Sequence, residues 1–143
     1  MKNDPERPEN FAFIYRSTLF VGLNAVTNDS SNTISQRTEE NLQWLDDNYD
    51  PHADKISAIF IMAYGGLEDL PEFEDALISK KKGEWRDKLV VYASSGDKTD
   101  IIPSLGGIQG LTELTIGRGF PFTDVQLDLT SNSAPRAGFR LVG

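Results

Sequence analysis

The side chains best placed to do chemistry in this sequence lie between Ser94 and Asp100, in the string SSGDKTD. Asp97 and Asp100, with Ser94, Ser95 and Thr99, offer oxygen donors only, a set suited to a hard divalent cation or a phosphate. The competing use of the same residues is a turn in which an aspartate caps a helix. A second place is Ala63-Tyr64-Gly65-Gly66, where Tyr64 follows the most apolar run of the chain with no catalytic partner beside it. The lack of cysteine and the position of the sole histidine, His52, ahead of that run rather than after it, argue against a nucleophilic triad. Gly65-Gly66 and Gly106-Gly107 lack the lysine and serine or threonine of a phosphate loop and read as turns. Lys80-Lys81-Lys82, the one basic cluster, reads as the carboxyl end of a helix, where cations complement the helix dipole.

These groups need elements to hold them. Lys55 to Gly66, KISAIFIMAYGG, is apolar on both faces and closed by two glycines, the pattern of a strand in the middle of a sheet. Such a strand offers the loop at its carboxyl end as a place for chemistry. Ahead of it, residues 1–10 read as a mobile lead-in, Phe11 to Tyr15 as a short strand, Arg16-Ser17 as a turn, and Thr18 to Val26 as a second strand, the two making a buried hairpin. Gly22 within it predicts a bulge or a close backbone approach. Thr33 and Gln36 have capping-box spacing, so a helix is predicted from Thr33 to about Pro51, with Leu42, Leu45 and Tyr49 on one face. Asp69 and Glu72, with Pro71, predict a second helix that buries Phe73, Ala76 and Leu77 and ends at Gly83. Lys88 to Ala93 then reads as a strand parallel to the central one, because a helix connects them. Beyond Ile101 the segments 111–116, 125–129 and 138–142 alternate apolar with polar and predict antiparallel strands with one wet face.

Composition narrows the classes. With 143 residues and 38% hydrophobic content the chain supports one domain with a core. A net charge of −8 opposes sequence-independent binding to nucleic acid. No apolar run reaches the roughly 20 residues that span a bilayer, so no membrane partner is expected. The start MKNDPERPEN lacks the apolar stretch of an export signal.

Four strings resemble the later half of the calcineurin-like metallophosphoesterase domain: RPENFAFIYRSTLFVGLNAV at 7–26, RTEENLQWL at 37–45, IFIMAYGG at 59–66, and VVYASSGDKTD at 90–100. The resemblance implies an α/β sandwich with a two-metal centre at the strand ends. In that family the later half supplies a histidine in a Gly-His pair after the strand matched here by Ile59 to Met62, and further histidines in a Gly-His-x-His or Gly-Asp-x-His string. Here Ala63-Tyr64 stands at the first place and Gly96-Asp97-Lys98-Thr99 at the second. Tyr64 and Thr99 thus replace imidazoles, and Asp97 alone keeps a possible metal ligand. The Asp-x-His, Gly-Asp and Gly-Asn-His strings of the earlier half do not occur here.

The expectation is therefore an α/β fold: a mixed sheet with two flanking helices and a C-terminal antiparallel part, with 11–143 as a single metallophosphoesterase-like partial domain. The expected function is a degenerate, non-catalytic binding or assembly module. The alternative is a C-terminal fragment of a metal-dependent phosphoesterase whose N-terminal half supplies the remaining ligands; a third reading is an active hydrolase using Asp97 and Asp100. Tyr64, Asp97, Thr99 and Asp100 are the candidate ligand-binding residues, with Asp97 as the candidate metal ligand. No cofactor is expected for this chain alone, and manganese, iron or zinc if the family activity is retained. A homo-oligomer, or a partner covering an apolar sheet face, is expected. The compartment is not legible beyond the cytoplasm by default, since a targeting signal could lie in an absent N-terminal part.

Overall fold

The computed structural model describes residues 2–3, 10–25, 31–117, 122–128 and 136–142. The architecture is α/β. Strands β1 (Lys2–Asn3), β2 (Phe11–Tyr15), β3 (Thr18–Leu23), β4 (Ala58–Ala63), β5 (Leu89–Gly96), β6 (Asp100–Ile102) and β7 (Leu111–Gly117) form one seven-stranded sheet in the order β1-β2-β3-β4-β5-β7-β6. β3, β4, β5 and β7 run parallel, and β1, β2 and β6 are antiparallel to their neighbours. β8 (Phe122–Asp128) and β9 (Arg136–Val142) make a separate antiparallel pair. No helix among the described residues is long and apolar enough to cross a membrane.

Helices α1 (Ser31–Tyr49) and α2 (Pro71–Lys82) connect β3 to β4 and β4 to β5. Right-handed crossovers that advance in one direction put both helices on one face. That face holds the main core: Leu19, Val21, Ile59, Ile61, Val90, Tyr92 and Leu111 from alternate strand positions, under Leu45 and Tyr49 of α1 and Phe73 and Leu77 of α2. The opposite positions Ala58, Leu89, Val91, Ala93 and Leu114 form a second buried cluster. β9 comes within contact of β5.

The central strand lies mid-sheet as its two apolar faces predict, and Arg16 and Ser17 form the expected turn. Both have positive φ, 48° and 62°, the backbone of a two-residue hairpin turn whose twist suits its strands. Gly22 meets the expected close approach without a bulge: it pairs with Phe11 in unbroken register, and a Cβ on it would fall on the Phe11 ring.

Several local expectations are corrected. Residues 1–10 are not wholly a mobile lead-in. Lys2 and Asn3 pair with β2, and Asn10 is 0% exposed, accepting the Asn24 N–H at 2.7 Å while its amide donates to Asn41 Oδ1 at 3.1 Å. Neither capping box forms: α1 already begins at Ser31, Gln36 donates instead to Glu40, and α2 follows Leu70 with no side-chain cap. Pro71 in the first turn and Gly83 at the end do mark α2. β7 is antiparallel to β6 but parallel to β5, and it shows no wet face at 111–114, which are buried on both sides. The antiparallel expectation holds for β8 and β9.

Candidate functional site

The carboxyl ends of β4, β5 and β7 open on one side of the sheet, the usual place for a site in an open α/β fold. A cleft of about 540 Å³ lies there. Its floor is Glu113 of β7, only 9% exposed although charged, with Thr115 beyond it on the same face. Glu68 and Asp69 come from the turn that follows β4, and Asp97, Lys98 and Asp100 from the connection between β5 and β6. One basic residue thus faces five acidic ones in the described lining.

Glu113 is placed by strand periodicity: Leu111, Glu113 and Thr115 share the helix-facing side, and the sheet ends just above them. Its Oε2 accepts the backbone N–H of Leu67 at 3.0 Å. Burial raises the carboxyl above its usual range; the Leu67 bond opposes this, and Glu74, Glu68 and Asp100 add to it. Tyr92, one strand over, donates its hydroxyl to Gly65 O at 2.6 Å and is held neutral, by burial first and then by Glu113. Ser94 is 3% exposed, and its hydroxyl has no hydrogen-bond partner, close beside Gly66.

The four residues singled out from sequence are not brought to one point. Asp97 and Asp100 line the cleft, and Asp100 Oδ1 accepts the N–H of Ile101 at 2.9 Å. Thr99 is used otherwise, its Oγ1 accepting the N–H of Gly117 at 2.9 Å. Tyr64 is 62% exposed at the end of β4, and its carbonyl accepts from Ser95 Oγ at 3.4 Å. His52 sits in the 3₁₀ turn Asp50–Lys55 ahead of β4, at the other edge of the sheet. Glu68, Asp69 and Glu113 were missed, since they come from segments with no common motif. For Glu113 the string LTELTI, with polar residues at 112, 113 and 115, carried no signal that set it apart from a solvent-facing residue.

Among the described residues, the one group of three carboxylates whose oxygens converge closely enough for an ion lies elsewhere, at Asp46, Asp50 and Glu84. There the Lys80 ammonium already bonds Asp46 and Glu84, and Lys80 stands over the Trp85 ring at 5.3 Å. It is a lysine site, not a vacant metal site. Comparison with known proteins finds no matching family model, no curated relative and no solved structure.

Proposed function

We propose that this chain is a metallophosphoesterase-like domain without phosphoesterase chemistry of its own, acting as a binding or assembly module. The donor set at the carboxyl edge carries the reading. A two-metal centre needs several preplaced nitrogen and oxygen ligands around each ion. At the positions matched to the family's imidazoles, Tyr64 faces solvent and the Thr99 hydroxyl is spent on Gly117. The lining carboxylates do not converge in threes as Asp46, Asp50 and Glu84 do. These residues do not fit the family's ions.

The binding surface in this reading is the outer part of the second sheet face. Phe13, Phe20 and Phe60 stack across β2, β3 and β4 with ring centroids 4.9 and 5.9 Å apart, and Phe13 is 37% exposed. Beside them Ile14 and Tyr15 of β2 are exposed, and among the described residues β1 pairs with β2 at Phe11 and Ala12. Strands at the edge of a sheet take a further strand readily. A second copy related by a two-fold axis would pair β2 with β2 and continue the aromatic strip.

Titration calorimetry with manganese and with zinc tests the loss of the metal centre. No stoichiometric site is expected, and one tighter than about 1 µM, roughly −8 kcal/mol, contradicts the reading.

A further inference from the structure

The cleft at the carboxyl edge joins a charged rim to a buried floor. Glu68, Asp69, Asp97 and Asp100 stand exposed around it, and Glu113 closes it at 9% exposure. Among the described residues the Glu113 carboxylate accepts one hydrogen bond, from Leu67 N–H to Oε2, although such a group can take about four. Oε1 has no partner there and is not sealed off, so it opens on the cleft. One strand over, on the same face and paired with Thr115, Ser94 carries a hydroxyl that is 3% exposed and unpartnered, next to Gly66 of the cleft wall. The inner end of the cleft thus holds acceptors without donors.

The negative charge is spread along the cleft rather than focused. No three carboxylates of the described lining converge as Asp46, Asp50 and Glu84 do, so the cleft does not gather ligands around a point ion. The one cation in the lining is Lys98, exposed at the rim, and the charged groups that act on Glu113 are Glu74, Glu68 and Asp100, all acidic. Ile102, 39% exposed, adds an apolar wall. A volume of about 540 Å³ falls in the range of sites for small organic molecules. The complement of such a surface is a chain of methylenes that carries several separated ammonium groups, each a compact donor of up to three hydrogen bonds.

We propose that this cleft binds a linear aliphatic polyamine, with a terminal ammonium donating to Glu113 Oε1 at the floor, the other ammonium groups among the rim carboxylates, and the methylenes against Ile102. The site is separate from the second sheet face, and the inference does not depend on the proposed function. The floor contact is charge-assisted and shielded from water, so it carries most of the affinity. The rim pairs are exposed, individually weak and screened by salt. Spacing of charge along the ligand, rather than total charge, distinguishes it from a divalent ion.

The test titrates spermidine into the full chain at neutral pH and follows the backbone amides by NMR. Saturable binding tighter than about 1 mM is expected, with the largest shifts at Leu67, Gly96 and Thr115, and magnesium at the same ionic strength should displace the ligand poorly. Glu113→Gln should weaken binding on the order of tenfold or more, the loss of a charge-assisted hydrogen bond, and Asp97→Asn by less than about fivefold. A wild type that does not saturate at that level overturns the site. So do magnesium that competes charge for charge, shifts centred on Asp46, Asp50 and Glu84, or a Gln variant that binds as the wild type does. If that variant does not fold, the shift map and the magnesium competition decide alone.

Discussion

Thr99 Oγ1 accepts the backbone N–H of Gly117 at 2.9 Å, fastening the loop that leaves β5 to the last residue of β7. The two segments are close enough that a Cβ on Gly117 would stand 2.7 Å from the Thr99 nitrogen. A threonine at this place does the work of a clasp. Thr99→Val should cost about 1 kcal/mol by removing the acceptor while keeping the shape, and Thr99→Ser should retain most of the stability. Gly117→Ala should cost more than Thr99→Val, because the obstacle is backbone. Urea unfolding of the three variants checks the order.

Lys81 is a second charged residue with a structural duty. It is buried on α2, and its ammonium donates to the carbonyls of Trp85, Arg86 and Lys88 at 3.2, 2.9 and 2.6 Å. Burial pulls it below the usual lysine range, and Asp87 opposes the shift. Lys81→Met fills the space but leaves carbonyls without a donor, so a loss of about 2 to 3 kcal/mol is expected. Gly110 leaves the head group its room, since a Cβ there would stand 3.2 Å from Lys81 Nζ at a positive φ of 82°, so Gly110→Ala should destabilise as well. Thermal unfolding of both variants measures this.

Much of the sheet was legible because β3, β4 and β5 carry apolar residues on both faces, which only a covered strand tolerates. β7 was not legible. Its Thr112 and Glu113 read as solvent-facing positions, yet both are buried, on opposite faces, Thr112 donating to Pro103 O at 3.1 Å and Glu113 bonded to Leu67. Polar side chains satisfied by distant partners look the same in sequence as polar side chains in water. The cleft was half legible for a related reason: Asp97 and Asp100 sit in one string, whereas Glu68, Asp69 and Glu113 reach it only through strand order. The capping spacings misled because Leu70 precedes α2 without a side-chain cap, and Ser35 of α1 donates instead to Glu72 at 3.1 Å.

The proposed self-association rests on the exposed aromatic strip of β2. Sedimentation at low micromolar concentration should show a species heavier than the 15.9 kDa monomer. Phe13→Ser should weaken association by about tenfold or more, the value of roughly 1.4 kcal/mol. Its unfolding midpoint should change little, since Phe13 lies outside both buried clusters. A wild type that stays monomeric contradicts the second-copy surface.

The proposal that this carboxyl edge carries no metal-assisted ester hydrolysis is tested most directly by turnover. The wild type, Asp97→Ala and the double variant Tyr64→His with Thr99→His are assayed with manganese against an aryl phosphate and a phosphodiester. All three are predicted to match the metal blank, because two introduced imidazoles still lack the carboxylates that would hold and bridge the ions. Metal-dependent turnover by the wild type, abolished by Asp97→Ala, would contradict the account.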